Sequence, residues 1–217
     1  MKQKLVLLIV NGLLLSCNSS DTIKVSNDTI TVRPHSDTNK TKIEREILIE
    51  ELRRLQVAFA SDDEEKIAEI FSFPISNEII GIYIDNEYFN EQLKKNDNKT
   101  TRSMFLGSYR DIAECLQIDQ LNQLFKKLNF EKLLNQDNIE VEAISKTEPC
   151  YHFYGIKIEN ELVTLTVGTN SNKEYKSKSA SEDEVPENDS SICEHVLWWT
   201  FTFDGRQLHL KEITGAG

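Results

Sequence analysis

The spacing of apolar residues changes character several times along this chain. Residues 5–15 form an apolar run of 11, broken only by Asn11 and Gly12, behind Lys2 and Lys4 and ahead of Ser16-Cys17. A basic start, a short apolar run and a small residue are the layout of a secretory signal. The run falls well short of the roughly 20 residues that a membrane-spanning helix requires. Residues 1–16 are therefore expected to be a signal peptide. Residues 18–42 are rich in Ser, Thr, Asn and Asp with few apolar positions, so 17–42 is expected to be a flexible tether.

Helical spacing begins after that. Leu48, Leu52, Leu55 and Phe59 recur at intervals of 4, 3 and 4, which predicts a helix over 43–60. Ser61, followed three residues on by Glu64, has the form of a capping box and predicts a second helix with Ile67, Ile70 and Phe71 buried, ending at Pro74. Alternation of Ile80, Ile82 and Ile84 predicts a strand over 78–84. Asp85 or Asn86 then caps a short helix carrying Tyr88, Phe89 and Leu93. Residues 103–117 and 119–134 both have helical spacing, the second with Leu121, Leu124, Phe125 and Leu128 on one side. They predict an extra helical segment in the middle of the chain. The triplet Tyr109-Arg110-Asp111 reads as a surface pair of little energetic weight.

The C-terminal third alternates with a period of two. Residues 150–159 and 162–167 are expected as strands joined at Asn160-Glu161. Over 193–203, Cys193, His195, Leu197, Trp199, Phe201 and Phe203 fall on one face, and Val196, Trp198, Thr200 and Thr202 on the other. Asp204-Gly205 is a turn, and Leu208 and Leu210 return the apolar face. Because Trp198 and Trp199 point to opposite sides, something beyond the sheet covers one of them or it stays partly exposed. A loop at about 169–191, basic first and then acidic, separates the second and third strands and reads as mobile. Its carboxylates lack the alternating, glycine-bearing pattern of a calcium loop. The prediction is an α+β fold with one domain over 43–217.

Two resemblances add to this reading. Leu14-Leu15-Ser16-Cys17 resembles the bacterial lipobox. The resemblance implies lipid transfer to the Cys17 thiol, cleavage before it and a membrane anchor; several acyl chains hold where one holds only marginally. Asn18, where an Asp would signal retention at the inner membrane, implies the outer membrane. Asp21-Thr22-Ile23 and Asp28-Thr29-Ile30 resemble the O-glycosylation sites of Bacteroidetes, but the match is three residues long and a plain polar linker is the preferred reading. Further on, the run from Phe59-Ala60-Ser61-Asp62-Asp63 through Ile67-Ala68, the Phe73-Pro74-Ile75 ending and the segment up to Phe89 resemble the opening of nuclear-transport-factor-2-like, cystatin-like domains. That family implies N-terminal helices packed on a curved antiparallel sheet around a cone-like pocket.

Charge narrows the partners. The chain carries −11, and loss of Lys2 and Lys4 with residues 1–16 takes it to −13. No clustered basic face is present to displace counterions from phosphates, which argues against nucleic acid, and the acidity leaves any membrane attachment to lipid on Cys17. Of the other cysteines, Cys150 and Cys193 suggest a pair. If they begin strands flanking a common neighbour, they stand two strand spacings apart, about 9–10 Å, whereas a disulfide needs under about 7 Å. Cys115, Cys150 and Cys193 are therefore expected as buried thiols, and no spacing suggests zinc or another metal.

Candidate ligand-binding residues are His152 and Tyr154 on one strand face and His195 and Trp199 on another, with Asp204 or Glu194 nearby. Brought together, two imidazoles and a phenol suffice for acid–base work; the simpler expectation is that each has a structural partner. No nucleophile elbow, phosphate loop or zinc-protease motif occurs and no cofactor is implied. The resulting expectation is a membrane-anchored envelope lipoprotein, noncatalytic, binding a small ligand or another envelope protein. The alternative is a small isomerase- or dehydratase-type pocket enzyme using His152 and His195.

Overall fold

The computed structural model describes residues 37–144, 148–172 and 193–217, with side chains from residue 42 onward. The chain divides into two units, Met1–Pro34 and His35–Gly217, and the second holds all of the described helices and strands. The signal, the Cys17 anchor, the two Asp-Thr-Ile fragments and most of the charged loop lie outside the described residues.

Helix α1 spans Asp37–Ala60, starting six residues before the predicted 43. Its Leu48, Leu52, Leu55 and Phe59 stripe is buried as the spacing requires. Helix α2, Glu64–Ala68, starts later than the capping box predicted. Ser61 Oγ donates back to the Ala58 carbonyl and Asp62 takes φ +52, so the cap passes to Asp63, whose carboxylate accepts from the Glu65 and Lys66 amides. Ile67, Ile70 and Phe71 are buried.

The strand predicted over 78–84 does not form. Strand β1, Ile75–Ser76, runs into a one-turn helix α3, Asn77–Ile80. Gly81 closes that turn at φ +57, a conformation in which a side chain would be strained. The buried Asn77 side chain then acts as a strand partner would: it donates to the Ile82 carbonyl at 2.9 Å and accepts from the Ile82 amide at 3.2 Å. With its polar groups satisfied, Ile82 buries without a ladder. Helix α4, Glu87–Lys95, is capped by Asn86 as expected and buries Phe89. Strand β2, Lys99–Thr100, pairs with β1.

The middle of the chain breaks into α5 (Arg102–Gly107), α6 (Tyr109–Cys115), α7 (Ile118–Lys127) and a 3-10 turn at Phe130–Leu134. Gln117, at φ +53, makes the break between α6 and α7. Five antiparallel strands follow as a meander in the order β3-β4-β5-β6-β7: Asn138–Ala143, Cys150–Glu159, Leu162–Ser171, His195–Phe203 and Leu208–Ala216. The fold is therefore α+β, with this sheet beside the small β1–β2 pair. Strand β3 was not predicted, although Ile139, Val141 and Ala143 alternate with Glu140 and Glu142. Strand β5 runs on to Ser171, into what was read as loop, and β6 begins at His195.

One face of the sheet is continuous with the helical core. Ile156, Leu165, Val167, Trp199, Phe201 and Ile213 join the α1 leucines in a single cluster, and Phe59 meets Trp199 edge-on at 5.7 Å between ring centres. On the opposite face, Phe153 lies so close over Gly168 that a Cβ there would stand 2.4 Å from the ring. Trp198 shares that outer side, half-buried.

The expectation of free thiols at 150 and 193 is overturned. Cys150 and Cys193 form a disulfide with Cα atoms 5.6 Å apart. The strand-spacing argument failed because Cys193 is not in β6. The β5–β6 ladder stops at the Thr169–His195 pair, while β4 and β5 continue to the Cys150–Ser171 pair. Released from the ladder, the chain at Cys193 turns across the end of β5, where the Thr169 hydroxyl donates to its carbonyl. Cys115 is a free thiol as expected, but half-buried rather than buried.

Candidate functional site

All four sequence-selected residues lie on the helix-facing side of the sheet, but they do not make one pocket. Pairing register puts His152, Thr169 and His195 in one row and Tyr154, Val167 and Leu197 in the next. The two histidines thus flank Thr169, their backbones about 9–10 Å apart by strand spacing. His152 stacks on Tyr154, centroids 6.2 Å apart. Trp199 sits deeper, at 0 % exposure, against Phe59, Phe71 and Phe201. Its indole N–H finds no acceptor among the described residues. Asp204 is at the far end of β6, in the β6–β7 turn. There it accepts from the Arg206 and Gln207 amides and pairs with His209 at 3.1 Å. Those bonds, the Gln207 amide foremost, lower its pKa to about 2. It is no partner for His195, which corrects that expectation. Glu194 is exposed beside His195, on a shallow cleft of about 410 Å³ shared with Phe153 and Gly217.

The first turn of α7 supplies the partners instead. The Gln117 side-chain amide donates to Nδ1 of His195 at 3.1 Å, and the Tyr154 hydroxyl donates to Oε1 of Gln120 at 2.9 Å. Gln120 in turn donates to Asp119 at 3.0 Å. Burial raises the Tyr154 pKa, and the Asp119 charge adds to it. Neither glutamine was singled out from the sequence. Their signal was positional only, two amides bracketing Ile118-Asp119 at the head of an amphipathic helix.

The other side of that same turn borders an open cleft of about 510 Å³, which the sequence did not reveal. Phe59 from α1 and Ile67 from α2 line it, with Tyr109, Ala113 and Glu114 from α6 and Ile118, Asp119 and Asn122 from α7. Asp62, at the α1–α2 turn, completes the rim. The lining includes no basic residue. Burial raises the Tyr109 pKa first, and the Asp62, Glu64 and Asp63 charges push it further in the same direction. A size of 300–1,000 Å³ with apolar walls and a few polar groups is typical of small-ligand sites. Two other clefts mix signs. One of about 600 Å³ sets Arg45 among Glu44, Glu161 and Asp204, and one of about 330 Å³ sets Lys127 and Lys132 against Glu140.

Among the described residues no set of His, Cys, Asp and Glu is arranged to hold a metal ion, and no helix is long and apolar enough to cross a membrane. No known family, characterised protein or solved structure matches the chain.

Proposed function

We propose that the chain is an exported, lipid-anchored protein of the cell envelope, held by lipid on Cys17 and more specifically at the outer membrane, whose folded body binds a small ligand without catalysing a reaction on it. The observation that carries the export half is the Cys150–Cys193 disulfide, since structural disulfides persist in oxidising compartments and are rare in reducing ones. The lipobox at Leu14-Leu15-Ser16-Cys17 agrees with it from the sequence side. The cleft between the α1–α2 turn, α6 and α7 supports the binding half.

The nuclear-transport-factor-2-like reading belongs to this proposal as well. A long first helix whose Phe59 meets the sheet at Trp199, and a five-stranded antiparallel meander, support it. The ligand site, however, moves out of the cone. The space that a cone would leave open holds Trp199, Phe201 and Leu165, all at 0 % exposure.

Metabolic labelling with an alkyne fatty acid in a bacterial host tests the anchor. The chain should take up label and sediment with membranes, whereas Cys17→Ser should do neither. A Cys17→Ser chain that stays membrane-bound and resists washing overturns the reading.

A further inference from the structure

We infer that the free edge of β3 docks an extended segment of another protein, which adds to the sheet as a further strand and carries lysine or arginine at alternate positions opposite Glu140 and Glu142. The inference is independent of the α6–α7 cleft and starts from the two edges of the sheet, which differ. Along β7 the edge is covered. The Leu208 amide donates to Glu51 of α1 at 3.0 Å, and α3 packs against the strand, with the Ile213 carbonyl 3.7 Å from where a Cβ on Gly81 would stand. Strand β3 has β4 as its single neighbour. The Ile158 amide donates to the Asp137 carbonyl at 2.7 Å, just ahead of the strand. In an antiparallel ladder that makes Ile139, Val141 and Ala143 the residues bonded to β4 and turns the amides and carbonyls of Asn138, Glu140 and Glu142 outward. Among the described residues no backbone group pairs with them. An unpaired row of this kind is a template for another strand.

The cleft of about 330 Å³ follows this edge. Asn138, Ile139, Glu140 and Val141 all line it, four consecutive residues whose side chains alternate between faces, so it runs along the strand and not over one face. Its other bank is the end of α7 and the turn beyond, where Lys127 and Lys132 are exposed. Nearby carboxylates are engaged, Glu131 by Arg53 and Asp137 by Arg45, and neither lysine is in an ion pair among the described residues. Glu140 and Glu142 stand on the outer face of the sheet, in the rows of Gly155 and Phe153. An added strand therefore meets negative charge on its outer side and positive charge on its helix side. Alternation lets one strand answer both, with basic residues outward and apolar or acidic residues inward. The same pattern disfavours a second copy of this chain. Antiparallel self-pairing centred on Glu140 or on Val141 sets glutamate directly opposite glutamate, which destabilises a ladder.

The test uses the full-length chain in detergent micelles and fluorescein-labelled heptapeptides, read by fluorescence anisotropy. Lys-Val-Lys-Glu-Lys-Val-Lys should bind, and the charge-reversed Glu-Val-Glu-Lys-Glu-Val-Glu should bind about tenfold or more weakly. The first peptide is also made N-methylated at its odd or at its even positions. One form should bind like the parent and the other about tenfold or more weakly, because only every second amide faces β3. The double variant Glu140→Lys/Glu142→Lys, checked for an unchanged circular dichroism spectrum, should reverse the preference between the two peptides. Glu78→Lys/Glu87→Lys, an equal change of charge at exposed positions elsewhere, should not. Equal binding of the two N-methylated forms overturns strand addition, since attraction to an acidic surface alone would treat them alike. A preference that the Glu140/Glu142 variant leaves in place overturns the location. Binding of neither peptide overturns the proposal outright. A chain that sediments as a dimer and is dispersed by Glu140→Pro overturns the foreign partner in favour of a second copy.

Discussion

The first turn of α7 separates two regions of opposite design. On its sheet side, His195, Tyr154, Gln117 and Gln120 are tied in pairs at hydrogen-bond distance, and Trp199 is sealed among phenylalanines. On its cleft side, Asp62, Glu114 and Asp119 stand at an opening with no cation in its lining. Polar groups that are mutually satisfied serve stability and specificity of packing. Charges of one sign gathered at a concave surface repel one another and are relieved only in part by water and salt. The difference gives the sheet side a structural role and supports the proposal that places binding on the cleft side, the reverse of what residue types alone suggested.

The sharpest way to break that assignment is Trp199→Ala. As a structural residue it should cost about 3–5 kcal/mol by chemical denaturation. A loss below about 1 kcal/mol would return Trp199 to the list of ligand contacts. Next comes the disulfide, which closes a loop with a sequence separation of 43. By loop entropy its removal in the Cys150→Ala/Cys193→Ala double variant should cost about 4 kcal/mol, less any native strain relieved. An unchanged melting temperature would mean that the bond does not form in the folded protein. Tyr154→Phe leaves the Gln120 amide oxygen short of a donor and should cost about 1 kcal/mol. An unchanged stability would mean that the bond to Gln120 carries no weight and would free Tyr154 for recognition.

How far the sequence carried depended on the range of the interactions involved. Periodicity is local, so the α1 stripe, the Asn86 cap and the inward face of β6 were readable. The strand expected over 78–84 was lost to Asn77, one side chain that satisfied both backbone groups of Ile82 and removed the need for a ladder. The Cys150–Cys193 pair was missed because strand spacing constrains residues inside a ladder and says nothing of one just past its end. Strand β3 was legible in Ile139-Glu140-Val141-Glu142 and was overlooked beside stronger helical signals. The cleft was beyond reach for a different reason. Its residues come from four separate segments between 59 and 122, and only the packing of α1, α2, α6 and α7 brings them together. Among the residues selected for chemistry, the types were right for polar contact, but which of them would be satisfied internally depends on α7, whose partners cannot be read from spacing.

The smallest effect is a titration that samples both regions at once. Burial is the leading cause of the raised pKa of Tyr109 on the cleft side and of Tyr154 on the sheet side; the Asp62 and Asp119 charges, respectively, come second. A phenol whose folded pKa lies above its unfolded value of 10.0 contributes stability that is complete below that value. That contribution is lost as pH rises through the folded pKa, because the unfolded chain releases the proton first. Stability should therefore fall above about pH 10, and Tyr109→Phe and Tyr154→Phe should each flatten part of that fall. Asp62→Asn should move Tyr109 back toward 10 and leave Tyr154 in place, and Asp119→Asn should do the converse. Ultraviolet tyrosinate absorbance on single-tyrosine-deleted variants follows each phenol separately. If Asp62→Asn moved both phenols equally, the negative field would be a property of the whole acidic surface. The contrast between the two sides of α7 would then lose its electrostatic basis.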